Sequence, residues 1–231
     1  MIISPVLFLL SFLGITLYNT LVYTGLKLTT ATNALIINSS VPIIVLIFSF
    51  YILKQSINLK QVLGILYLIL QGDIFSIFSL EFNSGDLWII LSSLTWALYS
   101  VFIKFKPKDL NDVGFFSTVV TIGFIMVLPL YFFQGYTLEY EIQVLKDNYF
   151  VFIYISVFTS VLSYYFWHKG IEEIGASKTS QFTHLMPIFG AILAYIFLDE
   201  ILQSYHIIGG VMIALGIYLS IQKNKKSELN L

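Results

Sequence analysis

The segment Val113–Phe133, VGFFSTVVTIGFIMVLPLYFF, decides the fold class. It runs for 21 residues without an Asp, Glu, Lys, Arg or His. An α-helix rises about 1.5 Å per residue, so such a run crosses the roughly 30 Å hydrocarbon core of a bilayer. Its apolar residues follow one another without the two-residue alternation of a membrane strand. The rest of the chain reads the same way. Of 231 residues, 58% are hydrophobic and 11% charged, with a mean hydropathy of +0.87. A soluble domain carries about 25% charged residues, and a chain of this size has no interior able to hide so much apolar surface. A soluble enzyme, a nucleic-acid binder and a disordered chain are thereby excluded. The chain reads as an all-α membrane protein whose first partner is the lipid bilayer.

Working outward from 113–133, eight segments are long and apolar enough to span: 4–26, 31–53, 61–80, 86–103, 113–133, 149–169, 178–198 and 205–222. The longest loop, Gln134 to Asn148, is too short for a soluble domain. All twelve basic residues are lysines. If the chain changes side after each span, ten of them fall on one side, and only Lys27 and Lys146 on the other. The lysine-rich side is cytoplasmic. Both termini are therefore expected in the cytoplasm of a multi-pass protein of the cell membrane. Met1 to Leu10 has no basic start, so it is no secretory signal. The chain has no cysteine, which removes disulfide and thiolate chemistry.

A repeat lies inside the chain. Pro42 and Pro187 stand 145 residues apart, as do Gly25 and Gly170, Ala31 and Ala176, Leu53 and Leu198, and Gly64 and Gly209. The first three spans thus correspond to the last three. Five spans separate the members of each pair, so the copies are expected in opposite orientations, a device of alternating-access carriers. The same offset places the start of the first copy about sixty residues before Met1. The expectation is a ten-helix fold lacking its first two helices. Residues 1–80 form an incomplete first repeat, 81–222 a second repeat and 223–231 a cytoplasmic tail.

Gly170-Ile-Glu-Glu-Ile-Gly-Ala-Ser-Lys178, then Leu185-Met-Pro187, Leu198-Asp-Glu200 and Ile208-Gly-Gly210, resemble the second EamA domain of the drug/metabolite transporter superfamily. Gly85-Asp86-Leu87 with Leu94-Thr-Trp-Ala-Leu-Tyr99 is similar to the opening helix of that domain. Leu26-Lys-Leu-Thr-Thr-Ala31, Val41-Pro42 and Gly64 resemble the matching region of the first copy. The resemblance covers nearly the whole chain. It implies a ten-helix inverted-repeat carrier, often an exporter of amino acids or other small metabolites. The family's acid at the end of the second matched helix is present as Glu200, whereas the first copy has Lys54-Gln55.

Candidate site residues follow from depth and polarity. A proline inside a helix frees the carbonyl four residues earlier. Pro42 and Pro187, read as helix kinks, would free those of Asn38 and Thr183. Freed carbonyls are tolerated where protein or a cavity satisfies them. His184 lies about two turns into its span, where an ionisable group is costly. It reads either as a proton or anion site or as a neutral packing residue. Asn19 and Tyr164 are repeat mates; Trp96 and Tyr99 share a helix face, and Gln181 lies one turn from His184. Together these residues are candidates for a substrate pocket with aromatic walls and a few polar anchors. Asp73 reads as a wetted helix end. Thr183, Pro187, Gly190 and Ala194 form a small-residue stripe for close packing. The histidines at 168, 184 and 206 have no metal spacing, and there is no nucleotide loop. No metal, no cofactor and no catalytic residue are expected.

The reading is a secondary carrier of a small metabolite, an exporter by resemblance, and not an enzyme. Two alternatives stay open: a truncated, non-transporting remnant, and a membrane subunit whose missing helices another chain supplies. A dimer is a further open arrangement.

Overall fold

The computed structural model describes residues 4–38, 40–55, 83–133, 138–197 and 211. Every element among them is helical. Helix α1 spans Pro5–Leu26, α2 Ala31–Asn38, α3 Val41–Leu53, α4 Ser84–Phe105 and α5 Asp112–Phe133. Helix α6 spans Leu138–Asp147, α7 Tyr149–Ile174, α8 Ala176–Gln181 and α9 Met186–Phe197, with a 3-10 turn, Phe182–Leu185, between the last two. Four of these, α1, α4, α5 and α7, are long and apolar enough to cross a membrane. The expected spans 61–80 and 205–222, together with Asp73, Glu200, His206 and the tail, lie outside the described residues.

Segments 31–53 and 178–198 are not single rods. The first is α2 followed by α3; the second is α8, a 3-10 turn and α9. The prolines read as kinks stand at the joints between these pieces. Pro42 is the second residue of α3, and Pro187 the second of α9. The first four N–H groups of any helix lack an intrahelical acceptor, so a proline there forfeits no ladder bond. Each proline stands at the start of the helix that follows its joint. The loop 134–148 also differs from expectation, because it contains α6. Leu138, Ile142 and Leu145 recur at helical spacing, and Glu139 and Glu141 in the first turn and Lys146 in the last suit the helix dipole.

Both α1 and α7 contain π-helical turns, at Phe12–Leu17 and Ile155–Leu162. The α-helical parts resume at Tyr18 and Ser163, which are 145 residues apart. Helices α2 and α8 start at Ala31 and Ala176, and α3 and α9 at Val41 and Met186, each pair again 145 apart.

Helix α4 occupies the middle of the described bundle. It packs against the second half of α1, against α2 and against α3. Helix α5 lies along the first half of α1, and α7 contacts α5 and α8. Helix α8 closes on α3. The buried core runs through Leu10 and Leu13 of α1, Val45 of α3, Ala97 and Val101 of α4, Phe115 and Val119 of α5, and Ile171 of α7. The outer faces are as apolar as the inner ones. Phe124, Ile125 and Phe132 on α5, and Phe150, Ile153 and Phe158 on α7, are all exposed. Water would penalise that surface, whereas lipid tails solvate it. Gly175, at φ +86°, joins α7 to α8; a left-handed φ is open to glycine at little cost.

Candidate substrate cavity

Helices α1, α4, α5, α7 and the broken segments α2–α3 and α8–α9 border an open cavity of about 1080 Å³. Trp96 of α4 stands in its wall with four aromatic neighbours, three of which also line the cavity. Its ring centroid lies 4.7 Å from Tyr18, 5.3 Å from Tyr164 and 5.3 Å from Trp167. The polar ends of two of these rings are tied down. Tyr164 donates its hydroxyl to the Gly14 carbonyl at 2.7 Å, and Trp167 Nε1 donates to Ser100 Oγ at 3.1 Å. Anchoring the polar end of an aromatic leaves its ring free to form an apolar wall.

The polar lining is neutral. Asn19, Asn38, Ser160, Ser163, Thr179 and Thr183 border the cavity, and none of its described lining residues is Asp, Glu, Lys, Arg or His. Asn19 Nδ2 donates to Ile15 O at 2.8 Å, within its own helix. Asn38 Oδ1 accepts from Ser93 Oγ at 2.9 Å, which fixes the end of α2 against α4. Thr183 Oγ1 donates to Ser180 O at 2.7 Å. Both π-helical turns adjoin the cavity, through Ile15 and through Thr159 and Ser160.

Of the residues expected from sequence, Asn19, Asn38, Trp96, Tyr164 and Thr183 line the cavity. Tyr99, Gln181 and His184 do not. Tyr99 is fully buried behind Trp96, and its hydroxyl pairs with Nε2 of the buried His168. The ring of Phe115 lies 5.2 Å from the His168 ring. Gln181 and His184 are fully buried on the other side of the α8 segment. Tyr18, Trp167, Thr179 and Phe182 line the cavity but were not expected to. Trp167 follows Tyr164 by three residues and so shares its helix face, a signal that was there to read.

At the lysine-rich end of the bundle a charge cluster joins three elements. Lys106 Nζ lies 2.6 Å from Asp112 Oδ1 and 3.2 Å from Glu172 Oε1. Burial disfavours the Lys106 ammonium, but the hydrogen bonds and charges of Asp112 and Glu172 outweigh it and hold its pKa above the ordinary lysine value. At the opposite end, Asp86 caps its own helix start. It accepts from Asn83 N at 2.9 Å and from Thr29 Oγ1 at 2.5 Å.

Comparison with known proteins places this architecture. A family model described as the EamA-like transporter family matches residues 3–71 and 83–222. The uncharacterized transporter YyaM of Bacillus subtilis is 32% identical over 215 residues, covering 90% of this chain and 70% of that protein. The uncharacterized transporter YetK of the same organism is 26% identical over 230 residues, with 96% and 69% covered. A chloroplastic WAT1-related protein of Arabidopsis thaliana is 25% identical over 214 residues, covering 84% of this chain and 49% of that protein. One solved crystal structure shares the fold, with a TM-score of 0.72 over 93% of this chain and 74% of the other at 14% identity. A match over nearly the whole chain, on helices long and apolar enough to cross a membrane, makes this chain a member of the EamA-like transporter family of multi-pass membrane transporters.

Proposed function

We propose that the chain is a secondary carrier that exports a small polar or amphipathic metabolite, such as an amino acid, by alternating access, with the aromatic cavity as its substrate site. The observation that carries this reading is the make-up of the cavity wall. Helices α1 and α7 with their π-turns, and the broken segments α2–α3 and α8–α9, all border it. Those elements recur at the 145-residue offset. Their common spacing supports an inverted repeat of the kind whose copies rock about a central site. Discontinuous helices at such a site offer backbone polar groups that continuous helices lack.

The cavity chemistry narrows the ligand. Ring faces of Tyr18, Trp96, Tyr164 and Trp167 suit an apolar or π-rich portion, and the amides of Asn19 and Asn38 with the Thr183 hydroxyl suit uncharged polar groups or a zwitterion. The lysine distribution supports cytoplasmic termini and a cell-membrane location.

A host expressing the chain, challenged with a panel of toxic amino acids and metabolite analogues, tests the reading. Protection against at least one compound is expected, and Trp96→Ala and Asn19→Leu should abolish it at unchanged membrane abundance. Absence of protection across the panel, or protection indifferent to both substitutions, would overturn it.

A further inference from the structure

Among the described residues, helix α6, Leu138–Asp147, is the one helix that is neither long enough to span nor part of a broken segment. Its surface divides into three. At about 100° per residue, Ile142 and Leu145 share one face, and both are exposed. Glu139, Gln143 and Lys146 share a second exposed face, about a quarter-turn away. Glu141 and Val144, on the remaining side, are half-buried. That side carries the attachment to the bundle. Tyr131 of α5 donates its hydroxyl to the Glu141 carboxylate, and α6 touches the first turns of α7. One face of α6 therefore meets protein, and its two free faces differ, one apolar and one polar.

The neighbours of α6 fix its level. It lies between the end of α5 at Phe133 and the start of α7 at Tyr149. Phe132 and Phe133 on one side, and Tyr149, Phe150 and Val151 on the other, are exposed and continue the apolar outer surfaces of both spans. Aromatic side chains concentrate where a span leaves the hydrocarbon. Tied to the end of one span and the start of the next, α6 stays near the surface. Its charged residues Glu139, Lys146 and Asp147 keep it out of the hydrocarbon core. We propose that α6 is an interfacial helix that lies in the membrane–water boundary, with Ile142 and Leu145 set among the lipid chains beneath the headgroups and Glu139, Gln143 and Lys146 in water.

Charge narrows the lipid that is needed. The helix carries Glu139, Glu141 and Asp147 against Lys146 alone. A basic interfacial helix draws on anionic headgroups, whereas this acidic one has only apolar burial to hold it. Zwitterionic lipid is therefore sufficient. The polar side is also satisfied within the helix, where Gln143 Nε2 donates to Asp147 Oδ1 at 3.0 Å.

The chain has no cysteine, so single cysteines can be labelled without background. Ile142→Cys, Leu145→Cys, Gln143→Cys and Lys146→Cys, each carrying a nitroxide, are reconstituted in phosphatidylcholine vesicles. Power saturation is then read against oxygen, which partitions into lipid, and against a water-soluble nickel chelate. All four sites are exposed, so the labels displace no packing. The labels replacing Ile142 and Leu145 should respond chiefly to oxygen, at a depth of about 5–10 Å into the headgroup boundary, and those replacing Gln143 and Lys146 chiefly to nickel. Adding phosphatidylglycerol should leave the depths unchanged. A nickel-dominated response at Ile142 and Leu145 places that face in water, and a weak response to both reagents places it against protein; either overturns the proposal. So does a depth that arises only with the anionic lipid. The readout needs no substrate, so its failure leaves the proposed transport site standing.

Discussion

The Tyr164 hydroxyl reaches across the bundle to the carbonyl of Gly14, 150 residues earlier in the chain, at 2.7 Å. Gly14 lies in the π-turn of α1, where the regular ladder is interrupted, and the bond fastens α7 to that interruption. The same glycine admits Tyr99. A Cβ at position 14 would lie 2.5 Å from two ring atoms of Tyr99.

Tyr164→Phe should therefore destabilise the protein by about 1–3 kcal/mol, because it removes the donor from a buried carbonyl. Gly14→Ala should cost a similar roughly 1–3 kcal/mol through overpacking. Pairing Gly14→Ala with Tyr99→Leu should recover part of that loss, since the two sites are in contact. Melting of purified protein in detergent checks all three. Equal melting of Gly14→Ala and the parent protein would show that the Tyr99 ring yields freely.

Asp86 should be the most sensitive carboxylate among the described residues. Only 1% exposed, it accepts from Thr29 Oγ1, Asn33 Nδ2 and Asn83 N, and so joins the α1–α2 connection to the start of α4. Asp86→Ala should cost about 1.5–3 kcal/mol, the range for hydrogen bonds to a charged group, and Asp86→Asn less, because an amide oxygen still accepts. Melting curves that rank the two in the opposite order would contradict the assignment.

The Lys106 cluster should respond to alkali and not to neutral pH. Its folded pKa is raised, so the stability it contributes is complete below the ordinary lysine value, about 10.4, and is lost as pH rises through the higher folded value. Lys106→Met should lower stability by about 0.5–1 kcal/mol, a modest figure because both carboxylates are substantially exposed. That deficit should be level from pH 7 to pH 9, shrink above about pH 10.4 and weaken with salt. Melting at pH 7, 9 and 11 measures it. A deficit that already fades between pH 7 and 9 would assign the effect to another group.

Topology is open to a simple experiment. Reporter fusions at Lys108 and Tyr140 should report opposite sides, Lys108 cytoplasmic, because α5 separates them and lysines concentrate on the Lys108 side. The same side for both would remove α5 as a span.

The long helices were legible because a bilayer imposes length and hydropathy on each span independently of its neighbours. The segments 4–26, 86–103 and 113–133 differ from α1, α4 and α5 by at most two residues at either end. Segment 149–169 falls short of α7, which continues to Ile174 and stops before the positive-φ Gly175. Proline alone does not say whether a helix bends or restarts. Pro42 and Pro187 each stand second in a helix that follows another helical piece.

Which residues face the cavity was decided by the tertiary structure. Trp96 lines it, while Tyr99, three residues on, is buried behind it against His168. Thr183 lines it, while His184, the next residue, is fully buried away from it. In water, polarity marks the outer face of a helix, and the inner face can be read from the pattern. A bilayer solvates apolar side chains as well as a protein core does, so a helix such as α5 shows apolar residues on both its lipid and its core face. Sequence by itself determined that these helices are long and apolar enough to span. The direction each helix face points was settled only by packing, through contacts such as Gly14 against Tyr99 that no hydropathy pattern records.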